Sequence, residues 1–295
     1  MTRLLTEEGH EVREIQDGVL PDGDLVWIQD SAVWFPRVRR QLIERPRPTL
    51  IWHSEPLPPS QVSGLSRPRL SFREVIKILA LDARATDVYT NLRTLRSLHR
   101  RELPTLLVTS SRGRQECLAE MGITAHFVPY GYYRDLGCPL NRERSIDVLF
   151  LGALEVPRRR RLIRRLEAAG ISVVSKGSWS DPSLWGEART ELLNRTRILI
   201  NLPRTAGEFS GLRILLGAAN GAMVVSEPIY RPEPYVDGTH LRTAPIDAIP
   251  AVIRHYLSGE DERRAIADSA VAFVTTQLTM RQSIQKILEL ANRVL

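Results

Sequence analysis

The chain has 295 residues, 43% of them hydrophobic, and carries 41 Lys and Arg against 34 Asp and Glu, for a net charge of +7. That length suggests two domains with ordinary apolar cores, and no apolar run approaches the ~20 residues of a membrane-spanning helix. Two cysteines in dissimilar contexts, Cys117 and Cys138, exclude a disulfide framework and fit a reducing cytoplasm.

The basic balance is compatible with nucleic acid, an anionic membrane face or phosphorylated ligands. Lysine occurs only at Lys77, Lys176 and Lys286, and such uniform use of arginine fits a GC-rich genome. The arginines are spread along the chain, and there is no zinc-finger spacing, RNA-binding aromatic signature or basic zipper. Nucleic acid therefore stands only as a third reading, resting on charge alone.

In chain order, Thr2–Gly9 reads as the end of a helix, closed by Gly9-His10, and Glu11–Ile15 as a short strand. Leu25–Gln29 and Thr49–His53 are strands, and Glu55–Pro68 is a Pro/Ser/Gly-rich loop. An α/β domain normally opens on a strand. The expectation here is a missing first strand, or a natural start upstream, and so a short first sheet or an exposed edge. The sequence MTRLLTEEGHEV has no signal-peptide core, which predicts a cytoplasmic protein. Ser71–Ala83 is a predicted helix, Asp87–Thr90 a strand and Leu92–Arg101 a helix. Pro104–Thr109 is a strand, Gly113–Met121 a helix and Ala125–Pro129 a strand. Tyr130–Arg144 has no period and reads as a linker between domains.

Ile146–Leu151 starts the cycle again and ends in Gly152. A helix over Pro157–Ala169 carries Arg158–Arg161, Arg164 and Arg165. That face is either solvated or an anionic-lipid or oligomer surface. Ile171–Ser175, Ile198–Leu202 and Leu241–Thr243 are strands. Leu184–Arg195, Ile249–Leu257, Asp261–Val274 and Thr279–Val294 are helices. The predicted class is α/β, with two Rossmann-like halves whose ligands sit outside the carboxyl ends of parallel strands.

The most informative stretch is Gly207–Glu227, GEFSGLRILLGAANGAMVVSE. A helix opening on Ser210-Gly211 leaves its first backbone N–H groups unpaired, and these favour an anion such as phosphate. Gly217, Ala218, Ala219 and Gly221 let it approach its sheet. A packed crossover without a ligand is the plain alternative.

This stretch is followed by Tyr235-Val236-Asp237-Gly238, then Ile249-Pro250-Ala251-Val252-Ile253, then Gln277-Leu278-Thr279-Met280-Arg281. In that order they resemble the C-terminal domain of GT-B glycosyltransferases of the retaining group 1 class, closest to the CgeB-like branch. The resemblance covers roughly residues 146–290, and residues 1–140 by architecture alone. It implies an acceptor-side domain over 1–140, a nucleotide-sugar domain over 141–278, and a crossover helix over 279–295 returning to the first domain. It also implies a bacterial hexosyltransferase-type enzyme. The donor would be a nucleotide diphosphate-sugar acting as co-substrate, with no cofactor and no metal. The acceptor is a small molecule, lipid or polymer, and contact with the inner membrane face fits such a protein. Asp22-Gly23-Asp24 lies in a turn-rich loop and reads as turn residues rather than a metal site.

Carried over residue by residue, the resemblance places Glu208 on the first glutamate of a Glu-x7-Glu motif, facing the donor sugar. The second glutamate would fall at Leu216, which is apolar, so ribose recognition must come from elsewhere. Gly152, Ser210, Gly211, Leu212 and Arg213 are donor-binding candidates. Lys176 is a basic partner for the nucleotide, and Trp179 could stack on its base. In the first half, His53 ends a buried strand and is a candidate near the sugar, with an exposed loop histidine as the alternative. Glu55 is a second catalytic candidate, and Asn91 and Arg93 are expected at another strand end. Ser110 and Ser111 lack a Gly-x-Ser-x-Gly elbow. A non-catalytic GT-B-like binding or scaffold subunit remains open, motivated by Leu216 and the short first half.

Overall fold

The computed structural model describes residues 1–15, 18–30, 35–69, 72–79, 88–103, 105–154, 156–177, 181 and 184–294. The chain forms two compact units, Met1–Pro129 with Ser283–Leu295, and Tyr130–Gln282.

In the first unit, strands β1 (Val26–Gln29), β2 (Thr49–His53), β3 (Leu106–Thr109) and β4 (His126–Phe127) form a parallel sheet in that order. Every residue of β2 and β3 is buried. Parallel strands are covered on both faces, so TLIWH and LLVT read as continuous runs rather than alternations. Ile51 pairs with Leu107, and His53 with Thr109. The helices are α1 (Thr2–Glu7), α2 (Phe35–Glu44), α3 (Phe72–Leu79), α4 (Val88–His99) and α5 (Arg112–Ala119). Phe35, Val38 and Leu42 of α2 pack with Ile28, Ile51, Leu95, Leu98 and Leu118 in one core.

Two expectations change here. Glu11–Ile15 forms no strand. Its charges bond locally instead: Arg13 Nε donates to Glu11 at 2.9 Å, and Glu14 accepts from the Thr2 hydroxyl. Val88–Thr90 is the first turn of α4, while Asp87 lies outside the described residues. Buried Asn91, Leu95 and Leu98 stand at i, i+4 and i+7, a helical period that the β-branched start of the segment masks. Asn91 and Arg93 are therefore helical, and Asn91 Nδ2 donates to the Pro56 carbonyl at 3.0 Å. Helix α2 had no counterpart in the sequence reading. Its Phe35-Val38-Leu42 spacing and Pro36 in the first turn were the available signals.

The second unit holds a five-stranded parallel sheet of order β6-β5-β7-β8-β9. The strands are β5 (Ile146–Leu151), β6 (Val174–Lys176), β7 (Thr196–Asn201), β8 (Met223–Ser226) and β9 (Arg242–Thr243). The order reverses between β5 and β7, which makes their carboxyl ends the topological switch point. Its helices are α6 (Pro157–Ala168), α7 (Gly186–Asn194), α8 (Gly211–Ala219), α9 (Ile249–Ser258) and α10 (Glu260–Thr276), and α11 (Met280–Ala291) starts here and continues into the first unit. A methyl group at Gly217 would stand 2.5 Å from Val224 Cγ2, so α8 sits on the sheet as closely as its small residues suggest.

The segment over Tyr130–Arg144 is built into the second unit rather than strung loosely. Tyr132 exchanges backbone bonds with Leu278 (2.6 Å) and Met280 (2.7 Å). Asn194 Nδ2 donates to the Cys138 carbonyl, and Asn220 Nδ2 to that of Leu136. These buried amides satisfy carbonyls of a segment whose own regular structure is one 3-10 turn, Arg134–Leu136. From Ser283 the chain rejoins the first unit, where the Ser283 hydroxyl donates to the Pro129 carbonyl at 2.8 Å.

Candidate functional site

The carboxyl ends of β5, β7 and β8 gather an arginine-lined cradle. Arg213, in the first turn of α8, turns its guanidinium inward. Nε donates to the Leu151 carbonyl at 2.7 Å, and Nη1 to Asn201 Oδ1 at 2.7 Å. Asn201 is fully buried and donates through Nδ2 to Ser226 Oγ at 2.9 Å. Arg159, in the first turn of α6, is also buried and donates to the Leu202 carbonyl at 2.8 Å. Both guanidinium groups lie near the Phe150 ring, at 5.3 Å for Arg213 and 5.8 Å for Arg159. Arg158 grips buried Glu227 with two bonds, one of 2.7 Å, and donates to the Pro203 carbonyl.

Burial pulls Arg213 down to about 9 and Arg159 to about 10. Each is depressed further by the other cations: Arg159 and Arg204 act on Arg213, and Arg204 and Arg158 on Arg159. The Glu208 carboxylate acts the other way on both. Both remain charged at neutral pH, held mainly by neutral acceptors. Buried cations so arranged are costly in the free protein and suited to an anion.

Glycines open this site. Gly152 has φ +154°, and a side chain there would meet Arg213 Nη2 at 2.9 Å. Its N–H donates to the Lys176 carbonyl at 2.8 Å. A methyl group at Gly177 would lie 1.9 Å from the Gly152 oxygen, so the ends of β5 and β6 require glycine on both sides. The loop before α8 is pinned by Tyr230 N–H donating to the Gly207 carbonyl at 2.9 Å. Ser210 precedes α8 without a side-chain cap bond, which leaves the helix-start amides to another acceptor, and Leu212 is exposed.

The structure thus gathers Gly152, Glu208, Ser210, Gly211, Leu212 and Arg213. Lys176 is adjacent through its backbone and exposes its side chain. Trp179 lies outside the described residues. Leu216, at the position of the second glutamate, packs in the core with Leu199 and Val224.

The sequence reading missed Arg158, Arg159, Asn201 and Glu227. The solvated-face reading of α6 holds for exposed Arg160, Arg161 and Arg164 but not for Arg159. Arg159 stands three, four and seven residues before buried Leu162, Ile163 and Leu166, on the apolar stripe itself. That spacing was the available signal.

In the first unit, His53 ends β2 with no exposed surface, which excludes the exposed-loop alternative. Among the described residues, neither ring nitrogen has a hydrogen-bond partner, nor do Gln29 Oε1 and Thr109 Oγ1. Burial, then the nearby Arg114 charge, lowers the imidazole to about 3, so it is neutral at physiological pH. Beside it, Asp30 accepts from Ser54 N–H at 2.6 Å and from the Ser54 hydroxyl at 2.9 Å. Burial nevertheless raises the Asp30 carboxyl. Glu55 is half-buried in the loop that follows.

Residues 158–289 match the family described as glycosyl transferase-like. No curated protein sequence matches the chain. Among solved structures, Anabaena HepE in complex with UDP and glucose is similar with a TM-score of 0.65 at 12% identity, over 92% of this chain and 78% of that one. A glycine-to-arginine mutant of S. aureus TarM is similar with a TM-score of 0.64 at 9% identity, over 90% of this chain and 55% of that one. Sucrose-phosphate synthase from Thermosynechococcus elongatus gives 0.60 at 13% identity, over 92% and 73%. The chain therefore has the α/β fold of these glycosyltransferase structures, two Rossmann-like halves with parallel sheets, and its second half carries a glycosyl transferase-like sequence.

Proposed function

We propose that this protein is a glycosyltransferase that moves a sugar from a nucleotide diphosphate-sugar to an acceptor hydroxyl, with retention and without a metal. The observation that carries this reading is the pair of buried guanidinium groups, Arg159 and Arg213, beside the uncapped start of α8 at the sheet's switch point. Amides at Ser210–Leu212 and the Arg213 charge take the diphosphate, and Lys176 supports it from the end of β6. Because these groups are fixed before the reaction, they stabilise the charge that develops on the leaving group. The bond from the sugar's anomeric carbon to the diphosphate oxygen breaks. A new bond forms from the acceptor oxygen to that carbon, and the acceptor proton passes to a leaving phosphate oxygen. Glu208 accepts from a sugar hydroxyl, since its carboxylate would repel the diphosphate itself. Glu55 is proposed on the sugar and acceptor side, and His53, which has no exposed surface, stands beneath it as a buried neutral imidazole rather than in contact with the sugar.

HepE was crystallised with UDP and glucose, which makes UDP the first probe. Calorimetry should show UDP binding more tightly than UMP and uridine. Incubation with UDP-sugars and a panel of acceptors should yield product, whose anomeric coupling in proton NMR reports retention. No preference for the diphosphate would sink the proposal. Tight donor binding without transfer or hydrolysis across the panel would favour the scaffold reading instead.

A further inference from the structure

Helix α3 turns its apolar stripe outward. Phe72, Val75, Ile76 and Leu79 stand at i, i+3, i+4 and i+7, and they are 82%, 37%, 50% and 77% exposed. In a surface helix of a globular domain this is the face that meets the core. Among the described residues, the core of the first unit is instead filled from α2, α4 and α5. The same segment is basic in sequence, with Arg67, Arg69, Arg73 and Lys77 against Glu74 alone. Arg69 is exposed, and Lys77 is one of only three lysines in the chain.

We propose that α3 lies in the surface of an anionic membrane, with Phe72, Ile76 and Leu79 in the boundary between headgroups and acyl chains. An apolar stripe accompanied by basic residues is the pattern of an interfacial helix. At ~1.5 Å per residue its eight residues are far too short to cross a bilayer, so it lies in the plane. A second copy of the chain is the poorer occupant. Symmetric pairing would bring the same basic residues together. The patch, on the order of 400 Å², is also about half of the ~800 Å² per partner of a standard interface. One short helix gives reversible, salt-sensitive attachment rather than permanent anchoring. The proposal does not depend on sugar transfer.

The test is flotation of the full chain with vesicles of phosphatidylcholine alone and of equal parts phosphatidylglycerol and phosphatidylcholine. The protein should rise with the anionic vesicles only, and raising salt from ~0.1 M to ~0.5 M should release it. The double variant Phe72→Ser/Leu79→Ser should lower partitioning at least ~tenfold, with its melting temperature unchanged because both residues are exposed. Arg69→Glu, which leaves the apolar face intact, should lower it ~fivefold or more. Absence of binding to either vesicle, or binding that both variants leave unchanged, overturns the proposal. So does a dimer in analytical ultracentrifugation that the double variant abolishes while no vesicle binding is seen, a result that assigns the face to a second copy.

Discussion

Arg213→Met separates a ligand-binding guanidinium from a structural clamp. The shift from 12.5 to about 9 corresponds to on the order of 5 kcal/mol against the charged form in the free protein. Methionine removes that cost at similar length. It also leaves the Leu151 carbonyl and Asn201 Oδ1 without their donors, each a loss of ~1–3 kcal/mol. The two effects nearly cancel, so apo stability should move by no more than ~2–3 kcal/mol in either direction. Binding has no such cancellation. A desolvated, charge-assisted contact to a diphosphate contributes ~1.5–3 kcal/mol, so the Kd for UDP should rise ~10- to 150-fold. Uridine lacks the anion and should bind as before. Calorimetry with UDP and uridine, set beside urea unfolding, reads both quantities. Equal weakening of the two ligands would refute the reasoning. So would unchanged UDP affinity with a stability loss above ~4 kcal/mol, which would make Arg213 a clamp only.

Glu208→Gln should lower sugar transfer ~100-fold or more while UDP binding holds or improves, because the variant keeps shape and removes a negative charge near Arg159 and Arg213. Turnover that survives with only the melting temperature moved would leave Glu208 as a helix-end charge of ~0.3–1 kcal/mol. His53 is held at about 3, below the ~6.5 of the unfolded chain. Between these values the unfolded state binds a proton that the folded state does not. The contribution is therefore intact above ~pH 6.5 and lost as pH falls, by about 3 kcal/mol near pH 4.5. His53→Leu should hold or gain stability at neutral pH and lose ~3 kcal/mol less on acidification, read by hydrogen exchange across Thr49–His53. An identical acid response in both proteins would show that His53 is hydrated or paired. Gly177→Ala forces the ends of β5 and β6 apart, and urea unfolding should show ~1–3 kcal/mol of destabilisation along with weaker UDP binding.

The α/β class and the two sheets were legible because their signals are local. Buried parallel strands such as Thr49–His53 and Ile198–Leu202 are short apolar runs, and their burial follows from neighbours in the same segment. The helix start at Ser210-Gly211 and the closeness of α8 to its sheet were likewise written in Gly207–Glu227, where small residues and an absent side-chain cap have direct physical meaning. Glu11–Ile15 and Val88–Thr90 were misread because a few β-branched residues do not decide between strand, coil and helix without partners. The helical spacing of Arg159 to Leu162, Ile163 and Leu166 signalled its burial, but the assembly of the arginine cradle was decided by tertiary structure. Arg158 and Arg159 are followed by Arg160 and Arg161, and the packing of α6 on the sheet turns Arg159 inward and Arg158 onto Glu227 while leaving Arg160 and Arg161 in water. Leu151 and Asn201 end β5 and β7 and Glu227 directly follows β8, and topology rather than sequence distance brings their polar groups to one edge. The same holds for His53, whose desolvation is set by the strands on either side of it, and for α3, whose apolar stripe follows from the sequence but whose outward direction does not.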